Sequence, residues 1–234
     1  MASIRVLTFN FHEPYLCLMA KTGLDFTVGL YARPPFAREW QTKFRPVPNN
    51  ITFAQESVWR RDLEAGMFDV VVAHNEMNAA NLLSYDAPML LVCHNRRTFL
   101  ETTVVGDREK AIREYRELLV RLQEKFTFVF ISNSKRDDYG IDGHVILPGI
   151  DVNEYLGYTG RIAQVLRVGN SMRARNLMFD VDFQQKVCEG LPNRVVGEDP
   201  AIPNAKPSSS FADLLHKYRT LRCLLHVTRE DWED

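Results

Sequence analysis

Short, nearly continuous apolar runs constrain the fold of this 234-residue chain more than any other feature. Phe68 to Ala73, Pro88 to Cys93 and Phe126 to Ser132 do not alternate apolar with polar residues. Such strands need cover on both faces, which is the situation of a parallel sheet. Ile4 to Phe9, Asp25 to Tyr31, Ile51 to Ala54 and Val145 to Leu147 add further strand candidates. Helix-like segments lie between them: Phe11 to Lys21 (a loop and helix), Ser57 to Ala65, Asn78 to Ser84, Arg108 to Lys125, and a short basic helix at Lys135 to Gly140. In the longest of these, Ile112, Tyr115, Leu119 and Leu122 form one face at helical spacing. Arg33 to Asn50 carries four prolines and reads as loop. The β/α pair recurs about six times, which predicts an α/β fold with an open, doubly wound parallel sheet.

After Tyr155 the pattern starts again. Tyr155 to Gly160 reads as a linker, Gln164 to Gly169 as a strand, Phe179 to Cys188 as a helix, and Arg194 to Gly197 as a strand. Phe211 to Tyr218 is a further helix and Cys223 to Val227 a further strand. The expected division is therefore 1–155 for a complete Rossmann-like domain and 156–234 for a second that is begun and unfinished. Either this is a fragment of a longer protein, or a short form has given up the rest of that domain.

Bulk properties narrow the partners. A net charge of −1 supplies no field that favours nucleic acid or an anionic membrane. Cys17, Cys93, Cys188 and Cys223 form no C-x-x-C pair and read as thiols of a cytoplasmic protein, with Cys93 and Cys223 buried in strands. The N-terminus lacks the pattern of a signal peptide, and no run approaches the roughly 18–20 apolar residues of a membrane span. Apolar surface left open on an unfinished domain makes self-association an expectation.

Candidate site residues follow from strand ends, where ligands of open α/β sheets gather. His74 ends one predicted strand and His94 another. His12 and Glu13 follow the first strand; they either bind hydroxyls or act as a base, or else form a polar loop capping the next helix. Gly169 allows close backbone approach, and Arg173 and Arg175 either supply positive charge there or form a solvated loop. Glu230, Asp231, Glu233 and Asp234 form an acidic cluster that is either a polar site or a solvated terminus. No His/Asp cluster suggests a metal.

A family resemblance rests on four segments. Val129-Phe130-Ile131-Ser132-Asn133-Ser134 is followed by the basic pair Lys135-Arg136. Then come Ile146-Leu147-Pro148-Gly149-Ile150-Asp151, the stretch Leu166-Arg167-Val168-Gly169-Asn170 with Arg173 and Arg175, and His226 to Asp234. In this order they resemble family 4 glycosyltransferases of the GT-B architecture over about residues 60–234. The resemblance implies two Rossmann-like domains facing across a cleft and transfer of a sugar from a nucleoside diphosphate to an acceptor, with retention and without metal or other cofactor. It implies that His94 positions the donor sugar and Glu233 touches its hydroxyls as the catalytic pair. It assigns Gly169, Asn170, Arg173 and Arg175 to the donor diphosphate, and leaves His12, Glu13 and His74 on the acceptor side. The chain departs from the family at Asn10-Phe11-His12-Glu13-Pro14-Tyr15, where a Gly-rich loop is usual, and at Asn170, which replaces an arginine. The second Glu of the E-x7-E motif would lie beyond Asp234. A non-catalytic fragment, a pseudoenzyme serving as a binding module, and a sugar-nucleotide epimerase of the same architecture are the alternatives.

Overall fold

The computed structural model describes residues 3–33, 39–102 and 106–227, and they divide into two compact units at Gly149 and Ile150. Seven strands of the first unit form one parallel sheet: β1 (Arg5–Phe9), β2 (Asp25–Leu30), β3 (Ile51–Gln55), β4 (Val70–Ala73), β5 (Met89–Cys93), β6 (Thr127–Phe130) and β7 (His144–Val145). Their spatial order is β3-β2-β1-β4-β5-β6-β7. The chain travels outward from β1 to β3 and then returns to β4 on the other side of β1. This is the Rossmann-like order, and the reversal between β1 and β4 opens a crevice at their carboxyl ends.

Among the described residues six helices connect the strands: α1 (Glu13–Ala20), α2 (Glu56–Glu64), α3 (Glu76–Ala80), α4 (Arg97–Thr102), α5 (Arg108–Gln123) and α6 (Asn133–Tyr139). Strand residues two apart share a face, and that phase sorts the core into two layers. Leu7, Phe9, Val71, Ala73, Leu91 and Cys93 pack on one side with Trp59, Leu119 and Leu122. Val6, Val28, Val72 and Val92 pack on the other with Leu16 and Ala20 of α1. Trp59 is fully buried, lies edge-on to Phe9 and Tyr31 with centroids 5.3 and 5.5 Å away, and donates its indole N–H to the Leu30 carbonyl.

Several helix starts are set by capping side chains. Asp107 accepts from the Lys110 amide at 3.1 Å and Ser132 from the Lys135 amide at 3.2 Å. Asn75 accepts from the Asn78 amide at 2.8 Å, so α3 starts at Glu76 and ends at Ala80 rather than running from Asn78 to Ser84. Helix α4 was not expected. Its anchor is distant: the Thr98 amide and hydroxyl both donate to Asp138, and Arg97 donates to the Asp138 carbonyl. Strand β7 is only two residues long, and Ile146 and Leu147 beyond it are exposed.

The second unit carries β8 (Ile162–Val168), β9 (Asn193–Val196) and β10 (Leu221–Leu224) in the parallel order β10-β8-β9. Its helices are α7 (Asn176–Phe179), α8 (Val181–Val187) and α9 (Phe211–Thr220). The single helix expected over Phe179 to Cys188 breaks at Asp180, which takes φ +43° and caps the Phe183 amide. The last strand is shifted from the expected Cys223 to Val227, because α9 runs straight into it at buried Leu221. Cys223 is exposed, not buried as its apolar setting suggested: among the described residues β10 is an edge strand, and only its first residue is covered. Among the described residues no helix is long and apolar enough to cross a membrane.

Gly197 sits at φ +144°, and a Cβ there would lie 1.9 Å from the Gly169 carbonyl oxygen. Backbone strain and overpacking each cost roughly 1–3 kcal/mol. Gly197→Ala is therefore expected to lower the stability of the second unit by about 2 kcal/mol or more, read as an earlier unfolding transition in urea.

Candidate functional site

The site lies at the carboxyl ends of β1, β4 and β5, three strands that are neighbours in the sheet. Strand phase builds it. Thr8 follows Val6, His74 follows Val72 and His94 follows Val92, each by two residues, so all three continue the face that α1 covers. The two imidazoles meet over the crevice between β1 and β4. Tyr15 of α1 lies edge-on to both, with centroids 5.7 Å from His74 and 4.7 Å from His94. Phe11 stacks on His94 at 5.4 Å.

A line of hydrogen bonds runs through these groups. The Thr8 hydroxyl donates to the Val72 carbonyl at 3.1 Å and lies 2.9 Å from His74 Nε2. His74 Nδ1 lies 3.1 Å from His94 Nε2. Thr8 and His74 are almost completely buried, and His94 is half-buried. Burial pushes the pKa of His74 well below the usual histidine range, with His94 and His12 adding repulsion. His94 is lowered as well, first by burial and then by His12 and Lys135. Both rings are thus neutral near pH 7. A neutral imidazole has one donor and one acceptor nitrogen, which suits it to a directional chain.

The loop after β1 shapes the outer wall. Asn10, Phe11, His12, Glu13 and Pro14, together with Glu39 and Gln41, line a pocket of about 370 Å³. Glu13 Oε1 accepts from the Gln41 amide at 2.8 Å and from the Asn10 side chain at 3.3 Å, which ties this loop to the segment at residues 39–41. The start of α1 is poorly suited to a phosphate. Pro14 has no N–H, Glu13 brings negative charge to the first turn, and the amides of Tyr15 and Leu16 are both bonded to the His12 carbonyl. The chemistry on offer here is a neutral imidazole beside aromatic rings, with a carboxylate nearby. Among the described residues no group of three His, Cys, Asp or Glu side chains is arranged to hold a metal ion.

The expected diphosphate residues lie in the second unit. Gly169 and Asn170 follow β8 and tie it to the loop after β9: the Gly169 amide donates to Val196, and the Asn170 side chain accepts from the Glu198 amide at 3.0 Å. Met172 and Phe179 fill the space a side chain at Gly169 would occupy. Arg173 is paired with Asp182 at 2.5 Å and Gln185 at 3.0 Å, and its amide donates to Asp199. Arg175 lies over the Phe179 ring at 4.7 Å. Glu233 and the acidic residues around it lie outside the described residues.

The structure thus brings His12, Glu13, His74 and His94 to one edge of the first unit's sheet. Sequence reasoning missed Thr8, Phe11 and Tyr15. The signal for Thr8 was present: Val6-x-Thr8, Val72-x-His74 and Val92-x-His94 share one phase at three strand ends. No protein-family model matches the chain, and no curated protein matches it.

The neutral histidines have a consequence for stability. Unfolded, each takes up a proton below about pH 6.5; folded, each resists it. Their contribution is present above about pH 6.5 and is lost as pH falls toward their depressed folded values. Urea unfolding between about pH 6.5 and 5 should show falling stability. The slope should lessen by up to about 1.4 kcal/mol per pH unit in His94→Gln, which removes one such group.

Proposed function

We propose that this chain is a glycosyltransferase of the GT-B type, moving a sugar from a nucleoside diphosphate to an acceptor. The observation that carries the reading is the neutral imidazole of His94, held at the switch point of a Rossmann-ordered sheet by His74 and Thr8. A neutral imidazole suits a sugar hydroxyl, which both donates and accepts. The stacked Phe11 and the Glu13-lined pocket add the aromatic and carboxylate surfaces that suit a carbohydrate. In this reading His94 positions the sugar, Gly169, Asn170, Arg173 and Arg175 belong to the donor phosphates, and Glu233 meets sugar hydroxyls. His12, Glu13 and His74 belong to the acceptor side.

A second reading is a non-catalytic binding module. It is favoured by Arg173, whose guanidinium is already bonded to Asp182 and Gln185. Calorimetric titration with UDP and with GDP separates the two. The enzyme reading expects saturable binding of one nucleotide and release of that nucleotide from its sugar conjugate. The module reading expects no binding of either at about millimolar ligand. For the enzyme, His94→Ala is expected to lower kcat/KM by about tenfold or more, equivalent to about 1.4 kcal/mol in the transition state.

A further inference from the structure

The hydrogen-bond line from β4 to His94 has a direction, and a single hydroxyl proton sets it. Thr8 owns one hydrogen. Its Oγ1 is 3.1 Å from the Val72 carbonyl oxygen, which can only accept, and 2.9 Å from His74 Nε2. With the hydrogen given to Val72, Thr8 meets His74 with a lone pair, so His74 Nε2 must carry the proton. His74 is neutral, so its Nδ1 is then an acceptor. The atom facing that Nδ1 at 3.1 Å is His94 Nε2, which must therefore be N–H. His94 is neutral in turn, and its Nδ1 is left as a bare lone pair. That nitrogen has no hydrogen-bond partner among the described residues. Were the Thr8 proton turned toward His74, every donor and acceptor along the line would be exchanged, and His94 would present Nδ1–H.

We propose that Thr8 and His74 are positioning residues that fix the tautomer of His94, so that its Nδ1 accepts a hydrogen bond from a ligand hydroxyl. An accepting nitrogen favours a group with a hydrogen to give. Ionised phosphate and carboxylate oxygens have none, and the start of α1 beside it is equally unwelcoming to an anion. The site on the first unit is in this account a site for a neutral, hydroxyl-bearing ligand. Naming that ligand a sugar or its acceptor rests on the proposed function; the tautomer does not.

Burial makes the arrangement selective. Thr8 is 0% exposed and His74 2%, so neither finds water as a substitute partner. Thr8→Val keeps the shape and removes the hydroxyl. His74 Nε2–H would then be a buried donor without an acceptor, a rarer and costlier state than an unpaired acceptor. The line relieves this by reversing, with His74 Nδ1–H donating to His94 Nε2.

Nitrogen-15 NMR of the ring nitrogens in the ligand-free chain near pH 7.5 reads the tautomers directly. The wild type should show His74 and His94 both protonated at Nε2, Thr8→Ser should keep that pattern, and Thr8→Val should move the His94 proton to Nδ1. A wild-type His94 protonated at Nδ1 overturns the proposal, as does a folded Thr8→Val chain with an unchanged His94 tautomer. If Thr8→Val does not fold, the wild-type spectrum alone decides. Because the measurement uses neither nucleotide nor sugar, its outcome is separate from that of the titrations with UDP and GDP.

Discussion

The bond from the Thr8 hydroxyl to the Val72 carbonyl ties β1 to β4 at the place where the sheet reverses its winding. The two imidazoles of the crevice are linked to it in succession. A buried hydroxyl or imidazole left unpaired costs about 1–3 kcal/mol, and this line pairs Thr8, both nitrogens of His74 and one nitrogen of His94 in succession. The aromatic rings of Phe11 and Tyr15 close over the imidazoles. The same burial that makes the line necessary lowers the proton affinity of both rings and keeps them neutral.

Much of this architecture was legible in the residues. Unbroken apolar runs such as Val70 to Ala73 and Met89 to Cys93 announced strands covered on both faces, and they lie at the centre of the parallel sheet. The amphipathic face of α5 was equally plain: Leu119 and Leu122 are buried in the core. What escaped was structure created by distant partners. Helix α4 is anchored by Asp138, some forty positions along the chain, and nothing local marks it. The break at Asp180 needs a positive φ that an aspartate adopts only when the surrounding fold holds it there. Cys223 looked like a core residue because its neighbours are apolar, yet its strand is an edge among the described residues.

The histidines were visible as strand-end residues, but not their relation to each other. Periodicity alone puts Thr8, His74 and His94 on one face; only the order β1-β4-β5 puts them side by side. The second unit shows the opposite relation between sequence and site. Its Gly-Asn-x-x-Arg-x-Arg stretch invites a phosphate-binding reading, and the fold uses much of it internally. Gly169 makes room for Met172, Asn170 caps the β9 loop, and Arg173 is bonded to Asp182 and Gln185. A ligand there must compete with partners already in place.

The claim at the centre is that two adjoining histidines at the switch point are neutral because burial, with repulsion from nearby cationic groups, keeps them so. Following the ring carbon-bound protons of each histidine by NMR from about pH 8 to about pH 5.5 tests it most directly. The account predicts that the His74 and His94 signals stay unmoved across that range in the folded protein. Titration of either ring with a midpoint near the ordinary histidine value of about 6.5 would contradict it.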